Sequence, residues 1–254
     1  MLEELLSSHN APLRRLSLAR LKMARGDSLT ETGAEGLCLL YVLFGAIEVF
    51  VENFGKERVD KLQSVGGDIS AGPSVVVIPS GLAFSVSARP AADVLVARLA
   101  GGKNNDVLIL RPPDINEYVI GVGNIRRVVR EVIGGDNPCE LKCGETFNDL
   151  GAWSSWPPHD FERRPELAPQ FEECFYYFGR TPNASGYQRR KGTFVTGEMV
   201  DDVRLVRPGD CLPIPLGEHP VVSAPDSQIG YVWFYVSPQA KHYARQADGS
   251  WLYD

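Results

Sequence analysis

The chain has 254 residues, enough for one large all-β domain or for two domains of ordinary size. Hydrophobic residues make up 44% and charged residues 23%, which is an ordinary globular composition. The net charge of −6 argues against a general nucleic-acid-binding protein, because an acidic surface gains little from neutralising phosphates.

The amino terminus predicts neither a leader nor an anchor. Residues 1–15 are predicted to form a short helix or arm, without a basic stretch followed by a continuous apolar one. The apolar run 36–51 is too short and too interrupted by glycine to span a bilayer. We therefore expect a cytoplasmic protein with no membrane partner, in which the five cysteines are reduced.

After residue 15 the pattern is that of short strands. Runs of β-branched and aromatic residues are separated by glycine and proline, which favours a β-sandwich or β-barrel. These runs are 37–51, 74–88, 92–100, 173–180, 185–195, 203–215, 219–225 and 230–238.

Two of these segments recur along the chain. LYVLFG (40–45) resembles CFYYFG (174–179), and VVVIPSGLAFSVSA (75–88) resembles CLPIPLGEHPVVSA (211–224). The offsets, 134 and 136 residues, nearly agree, which indicates an internal duplication. The sequence thus predicts an all-β protein of two similar barrels, divided into an arm (1–15), a first barrel (16–110), a connector (111–139), a second barrel (140–240) and a tail (241–254).

The repeat also separates residues needed for the fold from residues that serve chemistry. His219 of the second half aligns with Ala83 of the first, and Glu173 aligns with Leu39. No histidine lies near the position that corresponds to His159. Since the fold signals occur in both halves and the polar residues in only one, we interpret His159, Glu173 and His219 as a functional site.

These three side chains form a recognisable ligand set. Two imidazoles and one carboxylate suit a divalent transition metal such as zinc, manganese, nickel or iron, whereas magnesium and calcium prefer more oxygen ligands. Strand alternation places Glu173, Phe175 and Tyr177 on one face of their strand. A carboxylate among aromatic residues is costly inside a barrel unless it is paired or bound to metal.

The second half also resembles a known family. GETFNDLGAWSSWPPH (144–159), EECFYY (172–177), GYQR (186–189) and GDCLPIPLGEHPVVSAP (209–225) are similar in order and spacing to the motifs of 5-deoxy-glucuronate isomerases and, more distantly, of 4-deoxy-L-threo-5-hexosulose-uronate ketol-isomerases. The resemblance implies a bicupin (RmlC-like) fold and a metal in the second barrel, held by His159, Glu173 and His219. It implies the isomerisation of an aldose to a ketose in inositol catabolism, on a uronate-type substrate.

One position departs from the family pattern. The pattern has a second histidine two residues after His159, where this chain has Phe161, and a phenyl ring cannot bind a metal. There are three alternatives. The metal has three protein ligands plus water, or Asp160 or Glu162 contributes a ligand, or the metal is bound more weakly. The general base is not identified by sequence.

Further candidates follow from strand positions and from the family-like segments. Tyr177 shares the face of Glu173 and Gln188 lies on a following strand, so both are candidate catalytic residues. Arg189, Arg127 and Arg130 are candidates to bind the substrate carboxylate, because guanidinium groups bind carboxylates well. Exposed strand edges lead us to expect a homo-oligomer, a dimer or larger.

Two other functions fit the same residues. Two histidines and one carboxylate also form the facial triad of iron(II) oxygenases, which would consume dioxygen. Alternatively, the change at Phe161 marks a sugar-acid-binding protein that has lost catalysis, which would bind uronates without turnover.

Overall fold

The structure is a computed structural model that describes most of the chain. The described residues are 1–33, 35–52, 54–61, 72–102, 104, 106–134, 137–158, 170–237, 244–245 and 251–252. Within them the chain is all-β, with 21 strands and two short 3₁₀ helices at Pro112–Asp114 and Gly123–Ile125. The predicted all-β class is therefore confirmed. No described helix is long and apolar enough to cross a membrane.

The described chain forms two compact units. The first comprises Met1–Ser7 and Arg15–Ile115, and the second comprises Ser8–Arg14 and Asn116–Asp254. The strands of the first unit are β1 (Leu2–Leu6), β2 (Leu16–Met23), β3 (Ser28–Glu31), β4 (Leu37–Val51), β5 (Gly55–Lys61), β6 (Ser74–Ile78), β7 (Phe84–Leu99) and β8 (Leu108–Leu110).

In the first unit these strands form one eight-stranded sheet. The order is β1-β2-β7-β4-β6-β8, with β3 also paired to β7 and β5 to β4. Strand β4 contributes Cys38, Leu40 and Val42 to the core of this unit, where they pack among apolar residues of β6 and β7. Burial of these apolar side chains stabilises the unit.

The second unit contains three sheets. Its strands are β9 (Asn116–Ile120), β10 (Arg127–Ile133), β11 (Leu141–Asn148), β12 (Trp153–Ser154), β13 (Glu173–Gly179), β14 (Gly186–Thr193), β15 (Met199–Val206), β16 (Cys211–Ile214), β17 (Leu216–Glu218), β18 (Val221–Ser223), β19 (Ile229–Val236), β20 (Ala244–Arg245) and β21 (Trp251–Leu252). A six-stranded sheet has the order β16-β13-β19-β11-β10-β9, and a five-stranded sheet has the order β12-β18-β14-β15 with β17 beside β14. Strands β20 and β21 pair with each other.

The helix predicted for residues 1–15 is wrong. Strand β1 pairs antiparallel with β2, with Leu2 opposite Leu21 and Leu6 opposite Leu18. The Leu- and Glu-rich sequence suits a helix locally, but pairing with β2 satisfies the backbone and buries Leu6. A tertiary partner has thus overridden a weak local preference.

The predicted connector 111–139 contributes two strands to the second unit. Strands β9 and β10 lie within it, and β10 pairs with β11 from Arg127 opposite Asn148 to Ile133 opposite Cys143. These strands extend the six-stranded sheet on the side of β11 away from β19.

The repeated segments occupy matching strand pairs in the two units. Ile78 of β6 lies opposite Cys38 of β4, and Ile214 of β16 lies opposite Glu173 of β13. The position that corresponds to Glu173 is therefore Cys38, and the predicted correspondence with Leu39 is wrong by one residue. The cause is a register shift in β4 between Val42 and Phe44, which inserts one extra residue before the aligned Phe-Gly pair.

Candidate functional site

One face of the six-stranded sheet is lined by aromatic side chains. In β13 and β19, Glu173 lies opposite Tyr235, Phe175 opposite Trp233, and Tyr177 opposite Tyr231. Residues paired in this way point to the same face of a sheet, and the aromatic members belong to one buried cluster. The predicted face of β13, with Glu173, Phe175 and Tyr177 together, thus becomes the inner face of the second unit.

Glu173 is the first residue of β13, and its buried carboxylate has few hydrogen bonds to offset the loss of hydration. The residue is buried, and its Oε2 has no hydrogen-bond partner among the described residues. Burial raises the pKa of this carboxyl from 4.5 to about 8. A buried oxygen without a partner costs free energy, which a bound ligand or a residue outside the described ones would offset.

His219 lies between β17 and β18, where the chain turns through Gly217 with φ of 141°. A Cβ at Gly217 would lie 2.3 Å from the Lys191 carbonyl oxygen, so glycine is required for this close approach of β17 to β14. The ring of His219 is buried, and its Nδ1 lies 3.0 Å from the carbonyl oxygen of Gly217. Because a carbonyl only accepts hydrogen bonds, Nδ1 carries the proton and Nε2 presents its lone pair.

The structure brings Glu173 and His219 together. The Nε2 atom of His219 and the Oε2 atom of Glu173 are 3.9 Å apart. This distance is too long for a hydrogen bond. Burial also lowers the pKa of His219 to about 4, so the metal-free pair at neutral pH consists of a neutral imidazole and a largely protonated carboxyl, and not of an ion pair.

The same two atoms are suited to bind one metal ion. A tetrahedral ion with bonds of about 2.0 Å holds two donor atoms about 3.3 Å apart, so the observed 3.9 Å separation needs a shift of about 0.6 Å for one ion to contact both. The third predicted ligand, His159, and the substituted position Phe161 lie outside the described residues. Within the described part of the chain no group of three metal-capable side chains occurs, so the observed fit rests on two donors.

Tyr177 and Gln188 are both buried and touch each other. The Tyr177 hydroxyl donates to Gln188 Oε1 at 2.5 Å, and the Gln188 amide nitrogen lies 2.6 Å from the carbonyl oxygen of His219. Gln188 is fully buried. The two candidates therefore form one hydrogen-bonded pair next to His219.

The three predicted arginines do not converge on this site. Arg189 points away from Gln188 on β14 and forms an ion pair with Asp201. Arg130 occupies the opposite face of its sheet, where it bonds Glu117 and Glu145.

Arg127 does lie on the inner face, but far along the sheet from Glu173. Arg127 is paired with Asn148 of β11. Six residues earlier in β11, Lys142 is paired with Tyr235 of β19, and Tyr235 is in turn paired with Glu173 of β13. Six residues of strand correspond to about 20 Å between backbone positions, of which the Arg127 side chain covers a part, because it interacts electrostatically with Tyr231.

Two buried cations were missed by sequence reasoning. Arg190 shares the inner face of β14 with Gln188, and it bonds both Asp202 oxygens and the Pro213 carbonyl. Alternation from Gln188 would have identified it. Lys142 is fully buried and donates to the backbone carbonyl of Asn137 at 2.6 Å. Nothing in the sequence of its strand signals that role.

Solved structures identify the class of fold. An IolB-like protein from Salmonella typhimurium LT2 superimposes with a TM-score of 0.80 at 19% identity, covering 98% of this chain and 93% of that one. A cupin 2 conserved barrel domain protein from Leptotrichia buccalis gives 0.52 at 14% identity, covering 93% and 88%. The chain is thus a cupin-type protein, as predicted.

The family is defined more narrowly by sequence. The KduI/IolB family model matches residues 6–252, so the chain belongs to the KduI/IolB family. Curated relatives include the 5-deoxy-glucuronate isomerase of Lacticaseibacillus casei, 25% identical over 256 residues (98% of this chain and 91% of that one), and that of Geobacillus kaustophilus, 24% identical over 219 residues (86% and 76%). The predicted family is confirmed.

Proposed function

We propose that this protein is an aldose–ketose isomerase of sugar acids that converts 5-deoxy-glucuronate to 5-dehydro-2-deoxy-gluconate. Membership of the KduI/IolB family and the names of the curated relatives support the reaction. The observation on which the site depends is the buried Glu173 oxygen that faces His219 Nε2 at 3.9 Å.

The proposed site holds one divalent transition metal, zinc, manganese, nickel or iron, through Glu173, His219 and His159. Such an ion, when bound, supplies Lewis acidity toward the carbonyl and neighbouring hydroxyl of the sugar. Glu173 and His219 supply a charged oxygen and a neutral nitrogen, which is the donor chemistry these metals prefer. With Phe161 in place of a second histidine, water is the simplest further ligand.

The aromatic surroundings of the pair form a low-dielectric wall, which disfavours an isolated charge. Phe175 packs edge-on against the His219 ring with centroids 5.8 Å apart, and it stacks on Tyr231 at 4.3 Å. A low-dielectric wall strengthens the electrostatic interactions of a substrate bound there. Isomerisation moves a proton between adjacent carbons and needs a base. Tyr177 is poorly suited to that role, because its hydroxyl donates to Gln188 and burial raises its pKa above the usual range.

Of the three arginines first considered as partners of the substrate carboxylate, Arg127 is the one on the inner face. Arg189 and Arg130 face away from Glu173, and Arg127 is separated from it by about 20 Å of strand. We also propose that the protein is a homo-oligomer, that it is cytoplasmic and that it acts in inositol catabolism.

The metal and the reaction are tested together. Purified protein should contain about one transition-metal ion per chain and should convert 5-deoxy-glucuronate, whereas His219→Ala should lose the metal and the activity. Exposed His9 provides the matched control, and His9→Ala should retain both.

Equal and near-zero metal in wild type and His219→Ala would refute the metal site. Dioxygen consumption would instead indicate an iron(II) oxygenase. Thermal stabilisation by uronates without turnover would indicate a binding protein.

A further inference from the structure

Gln188 forms hydrogen bonds both to the main chain of His219 and to β13, the strand that carries Glu173. It is fully buried in β14, and its Nε2 lies 2.6 Å from the carbonyl oxygen of His219 and 2.8 Å from that of Arg189. The Pro220 carbonyl oxygen is 3.3 Å away. On its other side, Oε1 accepts the Tyr177 hydroxyl at 2.5 Å.

The partners fix the orientation of this amide. Carbonyl oxygens only accept hydrogen bonds, so the nitrogen of Gln188 must face His219 and Arg189. Its oxygen must then face Tyr177, which has to donate. A side chain that both donates to the His219 backbone and accepts from β13 cannot be replaced by a carboxylate or by an apolar residue without losing one function or both.

We propose that Gln188 is a positioning residue that sets His219 at the correct place relative to Glu173. Tyr177 and Glu173 lie on the same face of β13, four residues apart, so the Tyr177–Gln188–His219 chain ties the main chain of one ligand to the strand of the other. The Gly217 carbonyl fixes the ring of the same histidine at Nδ1. The inference rests on the proposed metal site and assigns Tyr177 and Gln188 to positioning instead of catalysis.

The size of the expected effect follows from comparable sites. Groups that orient metal ligands through hydrogen bonds typically contribute 10- to 100-fold to metal affinity. Loss of the Gln188 amide removes a donor to the His219 main chain, so an effect of about that size is expected. A residue that only fills the core would change the melting temperature and leave the affinity of the folded protein unchanged.

The best test removes the amide without leaving a buried hydroxyl without a partner. In Tyr177→Phe/Gln188→Met both members of the Tyr177–Gln188 hydrogen bond become apolar at similar volume, and the His219 and Arg189 carbonyl oxygens lose the Gln188 donor. Tyr177→Phe alone is the matched control, because it keeps the contacts from Gln188 to the His219 and Arg189 carbonyls. Gln188→Glu, measured above the pKa of the new carboxyl, is a second variant that retains the acceptor for Tyr177 and loses the donor.

Two measurements apply to the chelator-stripped proteins. Zinc affinity is measured by competition with a chromophoric chelator, and the His219 ring signals are followed by NMR of histidine-labelled, metal-free protein. We expect zinc affinity about 10- to 100-fold weaker in the double variant and in Gln188→Glu, shifted or broadened His219 signals in both, and affinity within about threefold of wild type in Tyr177→Phe.

The two readouts separate this inference from the proposed function. A folded double variant or Gln188→Glu variant that binds zinc within about twofold of wild type, with unchanged His219 signals, overturns the positioning role. If wild type binds no zinc, the metal site is refuted and the His219 signals of the same variants decide the positioning role: unchanged signals overturn it, and altered signals support it.

Discussion

Replacing Glu173 by glutamine should stabilise the metal-free protein, even though it removes a proposed ligand. Burial raises the pKa of this carboxyl from 4.5 to about 8. The folded state therefore holds the proton more tightly than the unfolded chain does, and the stability that this group contributes is lost as pH rises from 4.5 to about 8. Each pH unit in that window costs about 1.4 kcal/mol, or roughly 5 kcal/mol in all.

His219 restricts where this effect can be seen. Its pKa is lowered from 6.5 to about 4, so its contribution is present above pH 6.5 and is lost as pH falls toward 4. The two slopes oppose each other between pH 4.5 and 6.5. Among the described groups with a shifted pKa, Glu173 is the one that titrates between pH 6.5 and 8, and the metal-free wild type should lose about 2 kcal/mol relative to Glu173→Gln there.

Urea unfolding in the presence of a chelator, at pH 6.5 and 8, provides the assay. Glu198, an exposed carboxylate beside the turn into β15, provides the control, and Glu198→Gln should follow the wild type within about 0.5 kcal/mol. Glu173→Gln should lose none of the 2 kcal/mol and should exceed the wild type at pH 8. Added zinc should reverse that order, because it stabilises only a folded state with an intact site. A Glu173→Gln protein whose stability falls in parallel with the wild type would refute the reasoning.

Two further predictions concern packing around the same sheet, both read by thermal or urea unfolding. Gly144→Ala should destabilise by about 2–3 kcal/mol or more, because a Cβ there would lie 2.2 Å from Trp233 and 2.3 Å from the Arg130 backbone oxygen; Gly209→Ala, which meets no atom within 4 Å, should cost about 1 kcal/mol from its positive φ alone. Arg130→Met should cost about 3–5 kcal/mol, because it leaves the buried Glu145 carboxylate without the guanidinium at 3.2 Å. Costs below about 1 kcal/mol for Gly144→Ala or Arg130→Met would contradict these packing arguments.

Local sequence determined much of this fold. Runs of β-branched and aromatic residues between turns predicted the strands, and alternation alone placed Glu173, Phe175 and Tyr177 on one face. The internal repeat marked matching strand pairs, and the absence of polar counterparts in the first half marked Glu173 and His219 as unusual. Each of these signals depends on near neighbours in sequence, or on a comparison of the chain with itself.

Tertiary structure decided which side chains face the interior and which of them meet, because both depend on strand pairing and register. Only the register of β13 with its neighbours shows that the Glu173 face is the inner one, and only the turn at Gly217 brings His219 Nε2 to 3.9 Å from a carboxylate 46 residues earlier in the sequence. A one-residue difference moves a side chain to the other face of a strand. For this reason Arg190, and not Arg189, points inward from β14. The bulge in β4 likewise makes Cys38 the residue that corresponds to Glu173.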